Sequence, residues 1–145
     1  MAERSALVFN MKDAPTWTMR WDRGTRVKLF DGENTPGNID VHLNVLKVDS
    51  GPGPYHYHAQ AENIYIVLEG TFEVCVEGKR YYLQPGDVAY IPPGLRHYAG
   101  TSGDVPAKAI EIYVPAGDDF HIVDPPTEIV DVQRPVADTT GRATG

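Results

Sequence analysis

The stretch Gly51-Pro-Gly-Pro-Tyr-His56-Tyr-His58-Ala-Gln-Ala-Glu62-Asn63-Ile-Tyr-Ile-Val-Leu-Glu-Gly70 decides how the chain is read. Side chains on an extended backbone repeat with period two, so His56 and His58 point the same way and can grip one metal ion. A second stretch answers it: Gly86-Asp-Val-Ala-Tyr-Ile-Pro92-Pro-Gly94-Leu-Arg-His97 adds a third imidazole. Outward from these two stretches, the chain reads as scaffolding that brings them together.

The 145 residues and 16.0 kDa suit one domain with a single core. Fourteen Gly and twelve Pro, dispersed along the chain, suit many short strands joined by turns. A net charge of −7 argues against nucleic acid as a partner. No apolar run reaches membrane-spanning length and residues 1–9 lack a signal-peptide pattern, so the expectation is a soluble cytoplasmic protein with no membrane partner. Cys75 is the lone cysteine, in a strand-like run, which excludes a disulfide framework and suits a small buried side chain.

Residues 1–25 carry Trp17 and Trp21 without a clean period and read as an N-terminal arm, packed across the domain or onto a second subunit. The barrel is expected over 26–124, beginning with a short strand at 26–30 and a turn-rich loop at 31–38. Residues 39–48 alternate, with Ile39, Val41, Leu43 and Val45 on one face and Asp40, His42 and Asn44 on the other. The polar face either meets solvent, the simpler reading, or lines a cavity where His42 touches substrate. The apolar run at 64–68 predicts a strand buried on both faces, and 71–76 and 79–83 predict a hairpin around Glu77-Gly78. A last barrel strand is expected at 107–114, then a partly disordered tail over 125–145.

The two quoted stretches together resemble the signature motifs of the cupins, G-x5-H-x-H-x(3,4)-E-x6-G and G-x5-P-x-G-x2-H-x3-N. The second matches at Gly86, Pro92, Gly94 and His97 and departs at Thr101; the first matches at His56, His58 and Gly70, with Gly51 one residue closer than the pattern asks. The resemblance, with about eight short antiparallel strands, implies an all-β double-sheet jelly-roll barrel. One motif pair implies a single-domain monocupin, and the family's habit of pairing through outer sheets implies a homodimer.

The resemblance also makes His56, His58 and His97 metal ligands, in a donor set suited to Fe, Mn or Zn, with Ni or Cu also accommodated. The family's fourth ligand is a glutamate. Counted back from Gly70 that place falls on Asn63; counted forward from His58 it falls on Glu62 or Asn63. The count from Gly70 meets no turn residue that could absorb a slip, so Asn63 takes the place and Glu62 points away unless a bulge re-aims it. A neutral amide leaves a divalent ion near +2, a site that favours an anionic, chelating substrate. On the strand at 107–114, Glu111 and Tyr113 share a face. Glu111 is a candidate acid behind the ligands, general base or substitute ligand, or else an outward carboxylate. Tyr65 shares parity with Asn63 and is a candidate hydrogen-bond donor to substrate, as is Tyr113, or a plain core aromatic. Arg96 reads as a surface charge, and His121 is left without a role.

Three functions fit. A three-histidine centre with open positions suits a dioxygenase acting on a small oxygenated substrate, the first expectation. The same centre loaded with Zn or Mn suits a lyase, decarboxylase, isomerase or cyclase. Loss of the glutamate also suits a small-molecule-binding protein without turnover, and one scaffold hosts all three.

Overall fold

A computed structural model describes residues 5–101 and 103–133. Two short 3-10 turns precede and follow the first strand, and thirteen strands make up the rest of the described secondary structure. In chain order these are β1 (Thr16–Thr18), β2 (Gly24–Phe30), β3 (Asp40–Leu46), β4 (Gly51–Pro52), β5 (His56–Tyr57), β6 (Glu62–Glu69) and β7 (Phe72–Val76). They continue with β8 (Lys79–Leu83), β9 (Val88–Ile91), β10 (His97–Thr101), β11 (Ala107–Val114), β12 (His121–Ile122) and β13 (Val130–Asp131).

The strands form two facing sheets, the jelly roll expected from the motifs. The first runs β1-β2-β3-β11-β6-β9; the second runs β12-β5-β10-β7-β8-β13, with β4 paired to β10. Every pairing is antiparallel except β13 on β8. No helix of the described residues is long and apolar enough to cross a membrane.

Alternation sorts each central strand into an inner and an outer row. On β6, Asn63, Tyr65 and Val67 turn inward and are buried, while Ile64 and Ile66 stay half-buried outside. The apolar run is therefore not sealed on both faces. On β3 the inner row is His42, Asn44 and Leu46, and the outer Leu43 packs with Val27 and Leu29. The polar face of β3 thus lies inside the barrel, which corrects its reading as a solvated face. Inner residues Leu46, Val67, Phe72, Val74, Leu83 and Ile91 fill one end of the space between the sheets. Each of the larger ones stabilises the fold by about 1.5–3 kcal/mol.

The arm is partly sheet: β1 extends the first sheet beyond β2, and Phe9 packs on Phe30 with ring centroids 5.5 Å apart. Within the 125–145 tail, β13 pairs with β8 and Arg80 donates to Asp131 at 2.6 Å. Residues 134–145, on which the expectation of disorder chiefly falls, lie outside the described residues. The hairpin turns at Glu77 and Gly78, with φ of 47° and 78°, the left-handed pair of a two-residue turn.

Gly70 closes the first motif for a steric reason. Its φ is +71°, and a Cβ there would lie 2.6 Å from the Pro106 carbonyl and 2.8 Å from the Ala107 Cα. Gly70→Ala is therefore expected to cost about 1–3 kcal/mol. Urea denaturation checks this, with a lower midpoint and an unchanged slope as the expected result.

Candidate metal centre

His56 sits on β5 opposite His97 on β10, and His58 follows two residues along the same inward row. All three are buried. Each ring is fixed through Nδ1: His56 donates to the Pro54 carbonyl at 2.7 Å, His58 to Asp119 at 2.6 Å and His97 to Leu95 at 2.9 Å. That leaves the lone pair of each neutral ring on Nε2, and second-partner bonds of this kind orient metal-bound imidazoles. One ligand atom from each residue can be chosen so that all lie within 4.8 Å of one another. Nε2 of His56 and of His58 is buried without a hydrogen-bond partner. Burial and the neighbouring His97 push the His56 imidazole down to about 3, and burial lowers that of His97. Neutral imidazoles with orphaned, convergent lone pairs fit a divalent metal.

Asn63 is fully buried, and its amide Nδ2 donates to Glu111 Oε2 at 3.1 Å and to the Ile112 carbonyl at 3.3 Å. Those two acceptors turn Oδ1 toward His97 Nε2, 3.1 Å away. With Nδ1 of His97 already donating, the approach sets an amide oxygen against an imidazole lone pair. A proton or a metal ion between them relieves the approach, and about 3 Å is also the spacing of neighbouring donors on an ion bound at ~2.1 Å. Asn63 thus brings an amide oxygen to the three imidazoles. Glu62 does not: it is exposed and accepts from the Tyr90 hydroxyl at 2.6 Å, so strand parity removes it from the site.

Glu111 lies directly behind Asn63. Its Oε1 accepts from His42 Nε2 at 2.9 Å and from Asn44 Nδ2 at 2.8 Å, and the hydroxyls of Tyr65 and Tyr113 also bond to it. Burial opposes its charge, yet the bonds and charge of His42, with Tyr65 and Asn44, hold the carboxyl well below its usual range. Its oxygens are committed to these partners, so it is neither a substitute metal ligand nor an outward carboxylate. His42 is 2% exposed, and its Nδ1 meets Asp40 Oδ1 at 2.8 Å. Burial disfavours its charge, but the bonds to Asp40 and Glu111 win and its pKa is raised, despite Arg26 nearby. The Arg26 guanidinium also reaches His42 Nδ1, 3.1 Å away, and lies 3.5 Å from Asp40, so the acidic groups behind the ligand set have cationic neighbours of their own. A buried carboxylate thus stands one step behind the neutral amide, joined to it through the Asn63 N–H group.

Tyr65 and Tyr113 both line the cavity, their phenols kept protonated by burial and by Glu111. Tyr113 packs on the His58 ring at 4.7 Å. Arg96 is a surface residue paired with Glu77 at 2.8 Å, and His121 lies outside the site against Tyr57.

Sequence reading missed the segment after β11. Besides receiving His58 on its carbonyl, Asp119 accepts backbone N–H bonds from Ala59, Gln60 and Ala61 at 2.8, 2.8 and 3.0 Å. Burial works against these bonds, yet they hold its carboxyl down to about 2. Phe120 stacks on His56 at 4.1 Å. No periodicity marks these residues, because their partners lie on a distant loop. The cavity beside the imidazoles measures about 660 Å³ and is also lined by Arg23, Arg26 and Lys28.

This chain belongs to the cupins: the family model of the cupin domain matches residues 44–113. It is 35% identical over 98 residues to a germin-like protein (subfamily 2 member 1) of Arabidopsis thaliana, covering 62% of this chain and 42% of the relative. It thus spans under half the length of that relative. Among solved structures, the polyketide cyclase RemF from Streptomyces resistomycificus superposes with a TM-score of 0.70 at 20% identity, covering 88% of this chain and 89% of that one. The oxalate decarboxylase of Lactobacillus farciminis, as a formate complex, gives 0.66 at 21% identity, covering 79% and 35%. These two likenesses speak for the fold alone.

If Glu111 supplies charge and aim through Asn63, Glu111→Gln weakens metal binding by about 10–100-fold while the barrel stays folded. A competition titration against a chromogenic chelator, beside far-ultraviolet circular dichroism, checks both halves.

Proposed function

We propose that this chain is a metal-dependent enzyme that acts on a small oxygenated, anionic or chelating organic molecule without net oxidation. The reaction class is that of a lyase, decarboxylase, isomerase or cyclase. The observation that carries it is the set of orphaned imidazole lone pairs beside a cavity whose wall holds hydroxyls bonded to an ionised carboxylate. His56, His58, His97 and Asn63 would hold Fe, Mn or Zn. A divalent ion there supplies Lewis acidity toward a substrate oxygen.

The chain's own groups supply the rest. The Tyr65 and Tyr113 hydroxyls, anchored on Glu111, keep protons beside the cavity and orient oxygen atoms. Phe120 covers the His56 ring and limits water. The names of two fold neighbours, a decarboxylase and a cyclase, belong to the same broad class of non-oxidative chemistry. A dioxygenase is the second reading, supported by a protein ligand set that is neutral throughout, with three imidazoles. The proposal extends to a homodimer paired through the outer face of the first sheet, where Leu68, Val88 and Tyr90 are exposed.

The protein loaded in turn with Zn, Mn and Fe(II) is to be screened against hydroxy-, keto- and enol-carboxylates, with and without oxygen, and products read by mass spectrometry. Turnover of the Zn or Mn form without oxygen is expected, giving an isomeric, cyclised or decarboxylated product. Turnover confined to Fe(II) with oxygen would establish the dioxygenase reading instead. Saturable binding without turnover by any metal form would make the chain a binding protein.

A further inference from the structure

Of the cations lining the cavity beside the imidazoles, one is buried without an ion-pair partner among the described residues. Arg26 lies 3.5 Å from Asp40, and Lys28 pairs with Asp31 and Glu33. Arg20 lies over the Phe120 ring. Arg23 is different. It is 7% exposed, its Nη2 donates only to the neutral Ala99 carbonyl at 2.8 Å, and its Nε is buried without a partner. Among the described residues no carboxylate forms an ion pair with it. Glu111 acts on it only through space, from beyond ion-pair distance. A buried guanidinium with no carboxylate in contact is costly, and such a group persists where a ligand supplies the missing partner.

The backbone around Arg23 is arranged to seat it. The two residues before it, Trp21 and Asp22, have φ of 61° and 52°, a left-handed conformation that side chains other than glycine disfavour. Trp21 itself stays exposed, so burial of its ring does not explain the strain. On the other side, Gly53 leaves room: a Cβ there would lie 2.8 Å from Arg23 Nη1 and 3.0 Å from Cζ. Strain on one flank and a missing side chain on the other hold an unpaired cation at the cavity. Local rules are broken in this way mainly at functional sites.

We propose that Arg23 is the specificity-determining residue of the site and receives the carboxylate of the substrate. The guanidinium fork matches a carboxylate's paired oxygens. A cavity of about 660 Å³ accommodates one small molecule with that carboxylate at one end and separate oxygen donors at the other. The substrate class is therefore a carboxylic acid bearing a second, metal-seeking oxygen group. This rests on the reading that the imidazoles hold a metal toward the same cavity, and it adds a residue that the matched cupin region, beginning at residue 44, does not contain.

The test is calorimetry with benzoate, salicylate and phenoxyacetate, and with their uncharged amides, on metal-free and Zn-loaded protein. The wild type, Arg23→Gln, Arg23→Lys and His97→Ala are compared, with a thermal melt of each. In metal-free wild type at least one carboxylate is expected to bind at least tenfold more tightly than its amide. Arg23→Gln loses about 10–100-fold of that affinity and Arg23→Lys recovers part of it. Arg23→Gln without ligand melts no lower than wild type, since the charge removed had no ion-pair partner and its burial was costly. Carboxylate raises the melting temperature of wild type and leaves that of Arg23→Gln unchanged. If Arg23→Gln binds the carboxylates as wild type does and melts lower, Arg23 is a strut for the Ala99 carbonyl and the inference is overturned. Wild type that binds none of the three, or binds amides equally well, overturns it too. The metal reading fails separately: Zn uptake absent from wild type would end it, while Arg23-dependent binding in metal-free protein would still stand.

Discussion

The site depends on one short approach, that of the Asn63 amide oxygen to His97 Nε2 at 3.1 Å. Left alone, two acceptors facing each other in a buried site repel, and the amide would turn over. It does not turn because Glu111 and the Ile112 carbonyl both claim its N–H groups. Turning would point the oxygen at a carboxylate that its partners keep ionised. The amide is thus locked from behind by a negative charge, and its oxygen is available in front for a cation. A metal ion held by the imidazoles and the Asn63 oxygen would be stabilised by the Glu111 carboxylate across Asn63, and the carboxylate by the ion.

Sheet register makes this lock possible. β11 lies between β3 and β6, with Glu111 beside His42 on one side and Tyr65 on the other, and Tyr113 beside Asp40 and Asn63. A slip of one residue would turn the whole cluster to the outer face. The apolar half of the same strands guards against that slip. Along β3 the inner row passes from His42 and Asn44 to Leu46; along β6 it passes from Asn63 and Tyr65 to Val67. Along β11, Ala107 and Ala109 precede Glu111 and Tyr113 on the same face. Each strand therefore runs from a packed apolar end to a polar cavity end. The packed end holds the register, and the polar end uses it.

This gradient also explains what could be read in the sequence. The two motifs disclosed the barrel, the three imidazoles and, by the count from Gly70, the substitution at Asn63. The Glu77-Gly78 hairpin was equally plain, since only a two-residue turn joins those strands. The destination of the His42 face was not, because alternation gives a face its polarity without saying whether water or a buried anion receives it. Asp119 and Arg23 left no periodic signal. Asp119 acts through its backbone carbonyl and through three N–H groups on a distant loop. Arg23 acts by lacking a partner, a property that exists only once the chain is folded.

The central claim is that three imidazoles and an amide oxygen, backed by a buried carboxylate, constitute a metal site. Elemental analysis of untagged protein, wild type beside His97→Ala, tests it most directly. The account predicts close to one transition-metal ion per chain in the wild type and little in the variant, both remaining folded. Metal absent from the wild type after reconstitution, or present equally in the variant, would contradict it.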